Sequence, residues 1–183
     1  MNFDNFTIKA QEAVQKAMEI AQANENQSIE TSHLLNGVLM ADDNVVPFLL
    51  KKMNVSPDVL KMSLDKVIES YPKVAGSQQY LSKEANQALQ KALALSQESK
   101  DDFVSVEFIL AGILSVNDEA SRLLKDNGVT EKDLKAAIRQ LRKGSPVKSQ
   151  TAEETYNSLN KYARNLNELA RNGKLDPVIG RDE

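Results

Sequence analysis

Apolar residues recur along this chain at spacings of three and four, the period of an amphipathic helix with one buried face. After Thr7, the first such stripe comprises Ala10, Ala13, Val14, Ala17, Met18 and Ala21. Its many alanines favour close helix–helix approach, because small side chains let neighbouring helices pack tightly. We find no credible strand, and the pattern therefore predicts an all-α protein.

The chain also repeats itself, at an offset of 75 residues. Residues 10–17, with the pattern AxxAxQKA, recur as residues 85–92. Near Pro47 the offset slips to 74, so that Leu-Leu-Lys at 49–51 matches the same tripeptide at 123–125. The first 143 residues are therefore a tandem duplication, and we expect two copies related by a pseudo-twofold axis.

Capping residues divide each copy into four helices. Thr7 and Ser82 can serve as N-caps of the first helices, and the second helices are predicted to begin at Thr31 and near Ser105. The third and fourth helices are predicted at about 44–53 and 119–127, and after the capping sequences at 56–57 and 130–133. Asn54 and Gly128 stand where a left-handed residue would end the third helices. Residues 1–143 are thus predicted to be one domain of eight helices.

A second region follows the duplication. Residues 144–152 are small and polar without apolar periodicity, which predicts a flexible linker. From Glu153 the spacing of Tyr156, Leu159, Tyr162, Leu166 and Leu169 predicts one further helix, which would stop near Gly173. The last residues, 174–183, lack a closing element, so we expect residues 153–183 to open a further domain of a longer protein.

Charge and composition exclude several classes of function. The net charge of −3 argues against a general binder of nucleic acid or anionic membranes, since such binders need a basic surface. There is no cysteine, which excludes disulfides and thiolate metal sites. The N-terminus does not resemble a signal peptide, and no apolar run is long enough to span a membrane. These features predict a cytoplasmic protein.

The residues also argue against catalysis and metal binding by this chain. A phosphate-binding loop needs G-x-x-x-x-G-K-[ST], and the pattern is absent, so the chain alone should not hydrolyse ATP. His33 is the sole histidine, for which packing and hydrogen bonding near a helix start is the favoured interpretation. The carboxylate pairs at 42–43, 101–102 and 153–154 are interpreted as solvated or capping groups.

The two copies differ at three matched positions. Ser28, Thr31 and His33 of copy one correspond to Phe103, Val106 and Phe108 of copy two. Two interpretations remain open. The second copy has a larger core, or it carries a surface groove that recognises exposed apolar chain.

Three blocks of sequence, at residues 2–13, 26–35 and 173–183, resemble the Clp family of AAA+ unfoldases, and the resemblance covers the whole chain. It implies that the double repeat is the family's N-terminal domain. In the family the terminal block opens the first nucleotide-binding domain, where Pro177, Val178, Ile179 and Gly180 would flank adenine. ATP and Mg would then belong to a hexameric parent protein, whereas this chain lacks the ring-forming parts and is expected to be a monomer.

The resemblance further implies a substrate-recognition domain of an ATP-dependent disaggregase. Such a protein rescues stress-aggregated clients with the DnaK chaperone system, and its N-terminal domain binds exposed hydrophobic segments. Thr7, Asp101 and Glu107 match family positions implicated in substrate engagement, while Leu95 and Phe108 would line a hydrophobic groove. Three alternatives stay open: an adaptor-docking domain of the ClpC or ClpA kind, a metal-dependent helical hydrolase, and a helical scaffold of the solenoid type.

Overall fold

The computed structural model describes residues 2–76 and 78–156, and each copy of the repeat forms four helices in it. In chain order they are α1 (Ile8–Ala23), α2 (Thr31–Ala41), α3 (Val45–Lys52), α4 (Pro57–Glu69), α5 (Lys83–Glu98), α6 (Val106–Ser115), α7 (Glu119–Asp126) and α8 (Glu131–Arg142). A short helix, α9 (Ala152–Tyr156), follows. The predicted all-α fold of eight helices in two copies is confirmed. The helix predicted beyond Tyr156, and the block at 177–180, lie outside the described residues.

Side-chain caps set the helix starts as the sequence predicts. Thr7 Oγ1 accepts a hydrogen bond from the Ala10 amide at 3.1 Å, and Ser82 Oγ accepts one from the Ala85 amide at 3.0 Å. Each bond satisfies one of the amides that lack an intrahelical partner in a first turn. Asn54 and Gly128 have φ of 60° and 97°, so the third helices end in the left-handed residues that were predicted.

The first two helices of each copy touch through a glycine. A Cβ atom on Gly37 of α2 would lie 2.2 Å from the Ala13 carbonyl oxygen, and one on Gly112 of α6 would lie 2.1 Å from that of Ala88. Both separations are far below van der Waals contact, so any side chain at these positions would collide with the neighbouring backbone. The close approach expected from the alanine-rich stripes is therefore confirmed, at equivalent places in the two copies.

The copies exchange short extended segments, which the sequence did not predict. Residues Ser28–Ile29 (β1) pair in parallel with Tyr80–Leu81 (β2), and Phe6 forms an isolated parallel bridge with Val104. The two pairings are equivalent under the 75-residue offset, since Phe6 corresponds to Leu81 and Ile29 to Val104. The expectation of no strand is wrong, because two-residue strands are too short to leave a period-two pattern.

A single aliphatic core crosses the boundary between the copies. Residues from both copies belong to one buried cluster, with Phe6 and Leu34 from the first copy and Leu89 and Ile109 from the second among its largest members. The Thr31 hydroxyl also donates to the Asp118 carboxylate across this boundary. The pseudo-twofold unit therefore behaves as one packed body.

The chain after α8 lies against both copies. The Asp102 amide donates to the Val147 carbonyl oxygen at 2.7 Å, and the Ile8 amide donates to that of Gln150 at 2.9 Å. Val147 is completely buried. The domain boundaries at 143 and 152 stay a prediction, but residues 147–152 are not separate from the repeats in the structure.

Candidate functional site

A surface cavity of about 660 Å³ lies between α5, α6 and α8 of the second copy. Its apolar lining includes Leu95 of α5, Phe108 of α6 and Ile138 of α8, while Pro146 contributes from the chain after α8. Arg139 and Arg142 are among its polar residues, as are Lys100 and Lys135. We call this cavity the groove. It combines an apolar floor with a mostly cationic rim.

A buried ion-pair cluster underlies the groove. Arg142, at the end of α8, is 7% exposed and donates from Nε to Glu107 Oε2 at 2.9 Å. Its Nη1 donates to both oxygens of Asp101, at 3.0 and 2.9 Å, and its Nη2 donates to Ser105 Oγ at 2.9 Å. Both carboxylate side chains have no exposure. One guanidinium therefore holds α8 to the start of α6 and to the turn after α5.

The same arginine shapes the apolar floor. Its guanidinium carbon lies 4.4 Å from the centroid of the Phe108 ring, within the range of a cation–π contact. Burial raises the pKa of Asp101, and Glu107 acts in the same direction, whereas the Val147 amide and Arg142 lower it. Removing one partner of such a buried cluster leaves another charge uncompensated, which is the costly case.

Copy one carries a neutral network at the matched positions. His33 corresponds to Phe108, Asn26 to Asp101 and Ser32 to Glu107, while Ile68 takes the position of Arg142. His33 Nδ1 accepts from the Glu30 amide at 2.8 Å and Nε2 lies 2.9 Å from Asn26 Oδ1. The cationic and apolar groove is thus a property of copy two.

Burial explains the state of the single histidine. It lowers the pKa of His33 to about 4, so the ring is neutral at pH 7. A neutral ring fits both contacts, because Nδ1 accepts a hydrogen bond from the Glu30 amide and Nε2 donates one to Asn26 Oδ1. The structural interpretation of His33 is confirmed. Among residues 2–76 and 78–156, no group of three or more metal-binding side chains lies close together.

The structure places the predicted site residues in two groups. Leu95 and Phe108 line the groove. Thr7, Val106 and Glu107 are fully buried, Phe103 is partly exposed, and Asp101 is turned inward onto Arg142. Val106 belongs to the core, whereas Leu95 and Phe108 are 9% and 7% exposed and belong both to the core cluster and to the lining of the groove. Recognition of apolar chain by these residues stays a prediction.

Sequence reasoning missed the contribution of α8. Ile138, Arg139 and Arg142 complete the groove, although none was singled out. One signal was available: Arg142 occupies the position of apolar Ile68 in the repeat, and a charge at a core position of a helix demands a buried partner.

The interpretation of the carboxylate pairs needs correction. In each pair the second residue is exposed, but Asp42, Asp101 and Glu153 have buried side chains. Asp42 does cap, since its Oδ2 accepts from the Val46 amide at 2.6 Å. Asp101 is ion-paired instead of solvated. Glu153 Oε2 accepts from Thr7 Oγ1 at 2.6 Å and from the Val106 amide at 3.1 Å, so it caps α6 from a distant segment.

A helix that spans a membrane must be long and apolar. None in the described part of the chain is both long and apolar enough to cross a bilayer.

Comparison with known proteins identifies the fold and its relatives. The model of the Clp repeat N-terminal domain matches residues 5–127. The chain is 53% identical over its whole length to the "Chaperone protein ClpB" of Bacteroides thetaiotaomicron and 49% identical to that of Porphyromonas gingivalis. It spans 21% of the length of each of these relatives.

Solved structures agree at the level of fold. The N-terminal domain of Hsp104 from Candida albicans superposes with a TM-score of 0.72 at 21% identity, covering 82% of this chain and 99% of that one. The N-terminal domain of ClpD from Arabidopsis thaliana superposes with a TM-score of 0.60 at 22% identity. This match covers 76% of this chain and 96% of that one. The family model, together with about 50% identity to two ClpB chaperones along the whole of this chain, shows that the chain belongs to the Clp repeat N-terminal domain family.

Proposed function

We propose that this chain is the substrate-recognition domain of a ClpB-type ATP-dependent disaggregase. The groove is the observation that carries the proposal. An apolar cavity of about 660 Å³ falls in the range of sites that bind ligands, and it lies open on the surface of a helical scaffold. An exposed hydrophobic segment of an unfolded or aggregated client is the ligand that such a surface would accept.

The buried polar residues have a positioning role in this proposal. Asp101 and Glu107 hold Arg142, and Arg142 supports the Phe108 ring, so both acids act on the client through the floor of the groove. Thr7 and Val106 stabilise helix starts and the core. Client side chains would touch Leu95, Phe108 and Ile138 directly.

We infer that the remaining functions would belong to a longer protein of the ClpB kind. The chain spans about a fifth of the length of the ClpB relatives. The block at residues 173–183 resembles the start of the family's first nucleotide-binding domain. ATP and Mg would bind there, in a cytoplasmic hexamer that works with the DnaK system. High identity to chaperones named ClpB favours this function over an adaptor-docking domain of the ClpC or ClpA kind.

Binding should be weak. A small groove buries little area, and association costs several kcal/mol of lost freedom, so we expect a Kd of about 10 µM to 1 mM. Weak binding suits a domain that must release its client to a motor.

An NMR titration with a permanently unfolded client tests the proposal. Shift changes should cluster at Leu95, Phe108, Ile138 and Pro146, and Phe108→Ala should weaken binding at least fivefold. Met62→Ala is the control for an exposed apolar residue of copy one outside the groove. Because Phe108 is only 7% exposed and belongs to the core cluster, circular dichroism must first show that Phe108→Ala stays folded. Shifts confined to other surfaces, or equal loss of binding in both variants, would refute the groove as the client site.

A further inference from the structure

Residues 147–153, which we call the strap, cross from copy two to copy one. At the copy-two end, Val147 accepts from the Asp102 amide and donates its own amide to Asp101 Oδ1 at 2.9 Å. At the copy-one end, Gln150 accepts from the Ile8 amide. Val147 and Ala152 are buried. The strap therefore has specific hydrogen bonds and apolar anchors on both copies.

Glu153 joins the two copies at the end of the strap. Its side chain is fully buried, and Oε2 accepts both from the hydroxyl of Thr7, the N-cap of α1, and from the amide of Val106, the first residue of α6. Helix N-termini attract negative charge and offer amides without an intrahelical partner. The N-cap residue of α6, Ser105, makes no capping bond with its own side chain, so the carboxylate takes that role.

One energetic cost opposes this docking. Glu153 Oε1 is buried and has no hydrogen-bond partner among the described residues. A buried polar atom without a partner loses its hydration without compensation. Docking of the strap is thus favoured by two hydrogen bonds to Glu153 Oε2 and opposed by the desolvation of Oε1.

We propose that the strap is a releasable latch, with Glu153 as its catch, that sets where the chain leaves the double repeat. With the strap docked, the chain stays on the double repeat as far as Glu153. With the strap released, it departs after α8, at Lys143. The thirteen residues 144–156 then become free tether. An extended chain of that length spans at most about 45 Å, so release would greatly enlarge the volume that the recognition domain can sweep.

In this proposal, pH controls the docking of the strap through protonation of the Glu153 carboxyl group. Burial, followed by the charge of Glu107, raises the pKa of Glu153 to about 7, although Thr7 and Val106 act in the other direction. Glu107 also pairs with Arg142, and its charge raises the pKa of Asp42. Lys9 lowers the pKa of Asp42.

The sign of the pH dependence follows from proton linkage. Docked Glu153 binds its proton more tightly than released Glu153, whose pKa returns to the ordinary value of 4.5. Docking is therefore fully favoured below pH 4.5 and weakens as the pH rises through 7. Between pH 6 and pH 8 the docking constant should fall about tenfold.

Amide hydrogen exchange on the whole 183-residue chain measures the latch. The Ile8, Asp102 and Val106 amides donate to the strap, and they report its docking when rates are corrected for intrinsic pH dependence. We expect Glu153→Ala to lower their protection at least tenfold. Glu154→Ala is the matched control, because Glu154 is exposed and adjacent, and it should leave protection unchanged.

Glu153→Gln separates charge from hydrogen bonding. Its amide oxygen can accept from Thr7 and Val106, so protection should persist and lose its dependence on pH. Unchanged protection in Glu153→Ala would overturn the latch. Wild-type protection that is flat or rises from pH 6 to 8 would overturn it too, and this series decides the matter even if Glu153→Ala fails to fold. None of these measurements involves a client, so their outcome does not depend on whether the groove binds one.

Discussion

Single residues decide how closely the helices of each copy can approach. Gly37 and Gly112 stand at equivalent places where a helix meets the backbone of its neighbour. Arg142 stands at a place where the copies differ, with a buried cation opposite two buried carboxylates. The two glycines belong to the architecture that both copies share, whereas Arg142 is one of the residues by which copy two differs from copy one.

Gly112→Ala should destabilise the protein despite the higher helix propensity of alanine. Helix propensity alone would make the alanine variant about 1 kcal/mol more stable. The Cβ would lie 2.1 Å from the Ala88 carbonyl oxygen, and forcing helices apart costs about 1–3 kcal/mol or more. Urea unfolding would show a net loss of up to about 2 kcal/mol, or more if the helices cannot move apart. Ala136→Gly, on an exposed face of α8, is the propensity control and should cost about 1 kcal/mol.

Asp101→Ala should cost far more than the same change at its neighbour. Loss of Asp101 unbalances the buried cluster around Arg142, and breaking a buried pair costs about 3–5 kcal/mol. Asp102 pairs with Lys148 at 3.4 Å on the exposed surface, where a pair is worth about 0–1 kcal/mol. Denaturant midpoints of the two variants give the comparison, and similar values would mean that the buried cluster contributes no more than a surface pair.

At the scale of elements, caps and periodicity predicted nearly all helix starts within one or two residues. Thr7, Ser56, Ser82 and Thr130 each accept a capping hydrogen bond, so the local signal and the fold agree. The exchanged strands could not be predicted. Their pairing joins segments from different copies, and the information lies in the fold's symmetry instead of in any local window.

His33, in the first turn of α2, should make the free energy of unfolding depend on pH. The ring must be neutral when folded, with a pKa of about 4 against an ordinary 6.5, so the unfolded state binds protons more readily between these values. Stability contributed by His33 is present above pH 6.5 and is lost as the pH falls toward 4. From pH 7 to pH 5 the loss should be about 2 kcal/mol.

His33→Gln supplies the control for this effect. Glu153 titrates in both proteins, so the difference between their free energies of unfolding reports the contribution of His33 alone. Urea titrations at pH 7 and 5 should show a smaller acid loss in the variant. Equal losses would mean that His33 is not the titrating group.

On the scale of the whole molecule, the two copies should unfold together. Strand exchange and a shared core join them, so neither copy keeps its buried surface alone. Hydrogen exchange at increasing urea should give the same opening free energy for amides in α1 and α5. A gap of more than about 1 kcal/mol would indicate two separately folding units.

The groove shows where sequence reasoning stops at this scale. The difference between the copies and the family resemblance predict Phe108, and the resemblance alone predicts Leu95. Ile138 and Pro146 come from a different part of the chain. Their proximity follows from tertiary packing of α8, and no local pattern encodes it.

The reciprocal exchange of strands bears on how such a protein could have arisen. Each copy lends one extended segment and receives one, as two identical subunits do across an isologous interface. That arrangement is complete with two members, unlike the open-ended stacking of solenoid repeats. A gene encoding one repeat could therefore have specified a symmetric homodimer. Fusion of two such genes would preserve the assembly, and it would free one half to diverge while the other kept the ancestral architecture intact.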